Sequence, residues 1–256
     1  MTHKHINQNP LADSAGVPWE GRSFEPNPHA GDDGSADPAL IAALEQFRTQ
    51  QALPEAVVAA FAKARLLVPL VAHVGETGVG AHGQVVDKSA DLSIVSVASP
   101  DGQVALPVFS SVATMAAWNK TARPVPIEAN RIALAAASEK NARIILDPGS
   151  VTEFVIRQGA YRPIAEGKDW VHPARNAQVK AAFAACIDAE PLVENFAIQD
   201  GDPTARLQGA EVVVFLKLPA GLSETDISGL AQRLGQAWGE SEFIAAEVDS
   251  IALRLV

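Results

Sequence analysis

Residues 91–126 read DLSIVSVASPDGQVALPVFSSVATMAAWNKTARPVP. Leu92, Ile94 and Val97 favour a strand, and so do Val104, Leu106, Val108 and Phe109. Between the two runs, Pro100 presets φ and Gly102 supplies a positive φ, so a β-hairpin is expected. The alternation of Val104, Leu106 and Val108 describes a half-buried strand. Pro107 within it points to an edge or a bulge, because a proline donates nothing to a ladder. Ser110 or Ser111 then supplies the N-cap of a helix over 112–118. In that helix Val112, Met115 and Trp118 share a face. The run Arg123-Pro124-Val125-Pro126 cannot continue a helix, so the element ends before it.

The remaining 220 residues give a soft, acidic frame. The chain has 256 residues, 48% of them hydrophobic, and a net charge of −10. That length is ample for a core in one large or two small domains. The acidic balance excludes a nucleic-acid backbone partner, which needs clustered Lys and Arg. Cys186 is the single cysteine. It rules out an internal disulfide or a multi-cysteine metal site, and its apolar neighbours read as core. The first ten residues lack the apolar core of a signal peptide. No run approaches the ~20 apolar residues of a membrane helix, so a soluble, cytoplasmic protein without membrane contact is expected.

Residues 1–37 are polar, acidic and broken by Pro10, Pro18, Pro26 and Pro28. They are expected to form a disordered arm. Trp19 and Phe24 either anchor that arm or ride along in it. Asp37-Pro38 is a helix start, followed by Leu40, Ile41, Leu44 and Phe47 at helical spacing. A second helix begins near Pro54 with Val57, Val58 and Phe61 on its apolar face. Residues 65–72 read as a strand, with Pro69 again marking an edge or bulge. Residues 127–137 read as an Ala-rich helix. Residues 143–147 form a buried strand closed by the turn Asp147-Pro148-Gly149, with Asp147 as a turn-capping carboxylate.

The stretch 158–174 has no clear period and reads as a partly packed linker. A second α+β unit is expected over 175–256. It holds a helix with Val179, Phe183 and Ile187, and strands at 192–198, 211–218 and 251–255. A further helix starts at Ser223, with Asp226 completing a capping box, and Gly239 ends it. The fold class is thus α+β: two small mixed domains, 38–157 and 175–256, each a short sheet covered by helices.

Residues 75–83, GETGVGAHG, invite a nucleotide reading and then withhold its chemistry. A P-loop needs Gly-Lys-[Ser/Thr], yet Gly80 is followed by Ala81 and His82. Gly78, Gly80 and Gly83 match a dinucleotide fingerprint, but no amphipathic helix follows to meet a pyrophosphate. Asp200-Gly201-Asp202 lacks the remaining ligands of an EF-hand loop. No cofactor and no metal are therefore expected.

Several strings resemble the SseB family, whose name comes from an enhanced-serine-sensitivity protein and a type III secretion component. They are Asp87-Lys88-Ser89-Ala90-Asp91, Ala105-Leu106-Pro107-Val108-Phe109-Ser110-Ser111, Trp118, and Ala122-Arg123-Pro124-Val125-Pro126. Ile144 to Gly149 fits the end of that family's N-terminal domain. The resemblance covers 64–157 and is closest to the actinobacterial branch. It implies an N-terminal SseB-like domain followed by a C-terminal α+β domain, and it brings no catalytic set. Two functions follow. One is a non-enzymatic regulatory or interaction module with a protein partner. The other is an anion-binding protein or enzyme whose best material is Asp87, Lys88, Ser110, Ser111, Arg123 and Asp147. Lys88 and Arg123 can hold an anion there. Sequence leaves the oligomeric state open.

Overall fold

Asp37 and Pro38 open the first helix, as their chemistry dictates. In the structure, a computed structural model, the Asp37 carboxylate accepts the Ala39 and Leu40 amides at 2.8 and 3.3 Å. The residues described are 31–73, 78–79, 85–86, 91–94, 96–99, 102–139 and 143–256, with backbone alone between 72 and 95. The expected arm and the Asp87-Lys88 string lie outside them, apart from residues 31–37. Residues Gly34–Val256 form one compact unit. The fold is α+β, with eight α-helices and several small sheets among the described residues.

Helices α1 (Pro38–Arg48) and α2 (Pro54–Phe61) lead into β1 (Arg65–His73). A short antiparallel pair follows, β2 (Gly78–Val79) with β3 (Val85–Val86). The expected hairpin is present only at its tip, where β5 (Val97–Ala98) pairs with β6 (Val104–Val108). Gly102, at φ 78°, donates its amide to Ser99 at 2.8 Å. The preceding segment β4 (Asp91–Ile94) instead pairs with β1, a non-local choice that local propensity does not encode. Ser111 caps α3 (Val112–Trp118) through a reciprocal box with Thr114. Met115 is buried, whereas Val112 is exposed at the first turn and does not share its face.

The proline-rich run becomes a strand, β7 (Arg123–Glu128), at the edge of the sheet β4-β1-β7. Its prolines alternate for a reason. Leu67 of β1 exchanges both backbone bonds with Phe109, at 2.9 and 2.8 Å, and so faces away from β7. Pro69 faces the same way by the two-residue period. Their partners Pro126 and Pro124 therefore turn their ring nitrogens to the open edge, where no donor is needed. Neither Pro69 nor Pro107 lies on an edge strand, contrary to expectation. Pro69 falls between the Leu67–Phe109 bridge and the start of β4 pairing at Leu70. Pro107 falls between the β5 partners at 104–105 and that same bridge. Each occupies a gap in an inner ladder.

Helix α4 (Ala129–Ser138) starts two residues later than expected, because Ile127 belongs to β7. Strands β8 (Arg143–Leu146) and β9 (Phe154–Arg157) complete the sheet β5-β6-β8-β9, with β6 and β8 parallel. Both faces of β8 and β9 are covered, which explains their unbroken apolar runs. Ile144, Leu146, Phe154 and Ile156 join the main core with α1, α2 and α4. Ile145 and Val155 join Ala105 on the other face, against Leu207.

Residues 158–166, expected as irregular, are a 3-10 turn and helix α5 (Tyr161–Glu166), with Tyr161 and Ile164 in the main core. Beyond them α6 (Ala177–Ile187) precedes the sheet of β10 (Asn195–Asp200), β11 (Val212–Lys217) and β12 (Ile251–Leu255). Helix α7 (Glu224–Glu240) runs through Gly239, which keeps an ordinary helical φ, and α8 (Glu242–Glu247) follows at Ser241. Val179, Phe183, Leu230, Leu234 and Trp238 pack on Val212, Val214 and Leu216 as a second apolar cluster.

Candidate functional site

Of the described residues singled out from sequence, Ser110 and Asp147 are brought together. The parallel pairing of β6 and β8 carries Ser110 to the start of the β8–β9 turn. There the Asp147 carboxylate accepts the Ser110 amide at 2.8 Å, the Ser110 hydroxyl at 2.7 Å and the Thr152 hydroxyl at 2.9 Å. Asp147 is fully buried at φ 48°, a region that Asp tolerates better than most side chains. It organises the turn, and Ser111 is occupied as a helix cap. Arg123 stands exposed on β7. Asp87 and Lys88 lie outside the described residues.

A larger constellation was missed by sequence reading. Asp249, between α8 and β12, accepts Arg143 on one oxygen and Arg157 on the other, each at 2.6 Å. The second edge of the Arg157 guanidinium reaches Asp202 at 2.7 Å and the Gly209 carbonyl at 3.0 Å. Glu211 accepts the Asp249 amide at 2.6 Å, and the Ser250 hydroxyl joins the cluster at 3.1 Å from Arg157. All five charged side chains are buried. Two guanidiniums and two aspartates already balance, so Glu211 is the surplus acid. Burial pushes its carboxyl up to about 7. Burial also opposes the charge of Arg157, but its bonds to Asp202 and Asp249 outweigh that and hold it above its ordinary value.

The network continues toward α2. His172 accepts the Ala174 amide on Nδ1 at 3.2 Å, so its proton sits on Nε2, 3.6 Å from Asp200. Burial lowers its pKa, against the pull of Asp200. Arg175 grips Glu55 at 2.7 and 3.0 Å. These ties span the segment 158–174 and both apolar clusters. The only sequence signal was a charge abutting each buried strand: Arg143 before IIL, Arg157 after FVI, Glu211 before VVVFL. One such charge reads as an ordinary strand end.

The network also shapes a surface groove. Residues 201–210 wrap around Asp202, whose carboxylate takes the amides of Arg206, Leu207 and Gln208 at 3.3, 2.8 and 3.1 Å. Gly201 and Gly209 are required there, since a Cβ on either would collide with the carbonyl of Ala210 or Gly201. Ala205 and Leu207 adopt positive φ, at 50° and 58°. The loop meets α1 and the β8–β9 turn around a cavity of about 560 Å³. Leu44, Phe47 and Val151 line it together with Thr152, Thr204 and Arg206. Arg206 donates to the carbonyls of Ser150 and Val151 at 3.1 and 3.0 Å. Those two bonds use one nitrogen and leave the rest of the fork for a carbonyl or carboxylate acceptor. Among the described residues, no group of His, Cys, Asp and Glu has the arrangement of a metal site, and no helix is long and apolar enough to cross a membrane.

Residues 40–160 match the family described as SseB protein N-terminal domain. The matched stretch includes Arg143, Asp147 and Arg157. No curated protein and no solved structure matches the chain.

Proposed function

We propose that the chain is a non-enzymatic, cytoplasmic member of the SseB family, of its actinobacterial branch, and acts as a regulatory or protein-interaction module. Its organisation on this reading is an arm (1–37), an SseB-like N-terminal part (38–157), a connecting segment (158–174) and a C-terminal α+β part (175–256). The groove at Arg206 is the observation that carries the proposal. The buried ion network holds the loop that forms one wall, and the lining combines apolar side chains with hydrogen-bonding ones, the make-up of a protein-contact surface. Asp147 and Ser110, the best chemical material in the sequence, are spent on holding the turn that forms one wall.

The test is affinity capture from the native cell with the intact chain, the chain lacking 1–37, and the Val151→Asp, Arg206→Ala double variant. The same partner should bind the first and be lost from the double variant while folding is retained. Unchanged capture by the double variant, or turnover of a small molecule, overturns the proposal.

A further inference from the structure

Two sheet edges, β7 and β9, are closed in different ways. Pro124 and Pro126 blunt β7. The outer side of β9 is covered by the Asp202 loop, where Val155 donates to Ala205 at 2.8 Å. Among the described residues, edge β12 has no such cover. Its bonds to β11 come from alternate residues: Val212 donates to Ser250 at 3.1 Å, and Val256 donates to Leu216 at 3.0 Å. The N–H and C=O groups of Ile251, Leu253 and Leu255 therefore point outward, without a backbone partner among the described residues. An open row of that kind is a template for another strand.

Beside this edge runs a groove of about 450 Å³ lined by Trp238 and Gly239 of α7, Ile244 and Val248 of α8, and Ile251 and Leu253. The groove adjoins the beginning of β12. At the end of β12, Leu255 and Val256 are 43% and 72% exposed. An apolar hollow at one end of a strand and apolar knobs at the other are self-complementary under a two-fold rotation.

We propose that two copies of the chain pair antiparallel through β12, about a two-fold axis at Leu253, forming one continuous six-stranded sheet. This register is selected by the backbone. It sets Leu253 against Leu253 of the second copy and Ile251 against Leu255, so every outward N–H and C=O at 251, 253 and 255 finds a partner. It brings Leu255 of each copy to the other's groove. Charge agrees with it. Residues 251–256 contain no acid although the chain carries a net charge of −10, and Arg254 falls opposite Ala252 rather than opposite its own twin. The surface is distinct from the groove at Arg206, so pairing leaves that groove accessible.

Sedimentation and light scattering on the full chain test this. The expected mass at high concentration is twice 26.9 kDa. Leu255→Lys and Leu255→Pro change an exposed position, the second by deleting an outward N–H, and both should return the monomer with unchanged thermal unfolding. A monomer at every concentration, or a dimer that survives both changes, overturns the proposal. Hydrogen exchange on the unaltered chain gives an independent reading. The amides of Ile251, Leu253 and Leu255 should slow as concentration rises, and exchange independent of concentration contradicts the pairing.

Discussion

Arg157 donates to Asp249 at 2.6 Å across 92 residues of chain, and both side chains are buried. The bond ties β9, the last strand of the stretch that matches the SseB family, to the entrance of β12. Removing one partner of a buried pair leaves an uncompensated charge, at a cost of about 3–5 kcal/mol. Asp249→Ala should lose about that much stability in urea unfolding, since it removes a buried acceptor from both Arg143 and Arg157. A loss below about 1 kcal/mol, as for an exposed pair, would contradict the arrangement.

Glu211 sets a pH dependence. The folded chain holds its proton up to about 7, whereas the unfolded chain releases it near the ordinary 4.5. Between these values the folded state binds more protons, so the stabilisation is fully present below 4.5 and is lost as pH rises through about 7. The change is on the order of 3 kcal/mol. His172 works the other way: its lowered pKa gives stability that is present above its ordinary 6.5 and is lost as pH falls through the folded value. Unfolding midpoints measured across this window should flatten on their alkaline side in Glu211→Gln. An identical profile in that variant would contradict the assignment.

Asp147 makes a sharper comparison. Asp147→Ala leaves the Ser110 amide and hydroxyl without their acceptor and puts a Cβ-only residue at φ 48°. About 1–3 kcal/mol should be lost. Asn keeps an acceptor and tolerates the left-handed region, so Asp147→Asn should cost less. Equal losses in chemical denaturation would show that the hydrogen bonds do not matter.

Trp118 packs its ring 5.3 Å from Phe109, over Leu67 and Met115, but remains partly exposed. A fully buried Trp→Ala change costs about 3–5 kcal/mol, so Trp118→Ala should cost roughly half as much. An unchanged unfolding midpoint would remove Trp118 from this cluster.

Features written locally were legible in the sequence. Asp37 and the Ser223–Asp226 box cap the helices they were expected to cap, and of the two serines offered for α3 it is Ser111 that caps, because a cap bonds amides two or three residues away. Features that depend on distant partners were not. Nothing near Asp91 tells it to pair with His73 rather than with β6. The alternating prolines of β7 make sense only once β1 lies beside them. For the site, Ser110 and Asp147 were both chosen, yet their contact needs the parallel β6–β8 register. Arg157, Asp202 and Asp249 were passed over because 45 and 92 residues separate the first from the other two.

The most direct test of the central claim places a photo-crosslinking amino acid at Val151, which lines the groove and is 79% exposed. Irradiation in the native cell should join the chain to one protein other than itself, and Arg206→Ala should abolish the adduct without unfolding the chain. Adducts that are absent, or that persist unchanged with Arg206→Ala, would contradict an interaction module working through this groove.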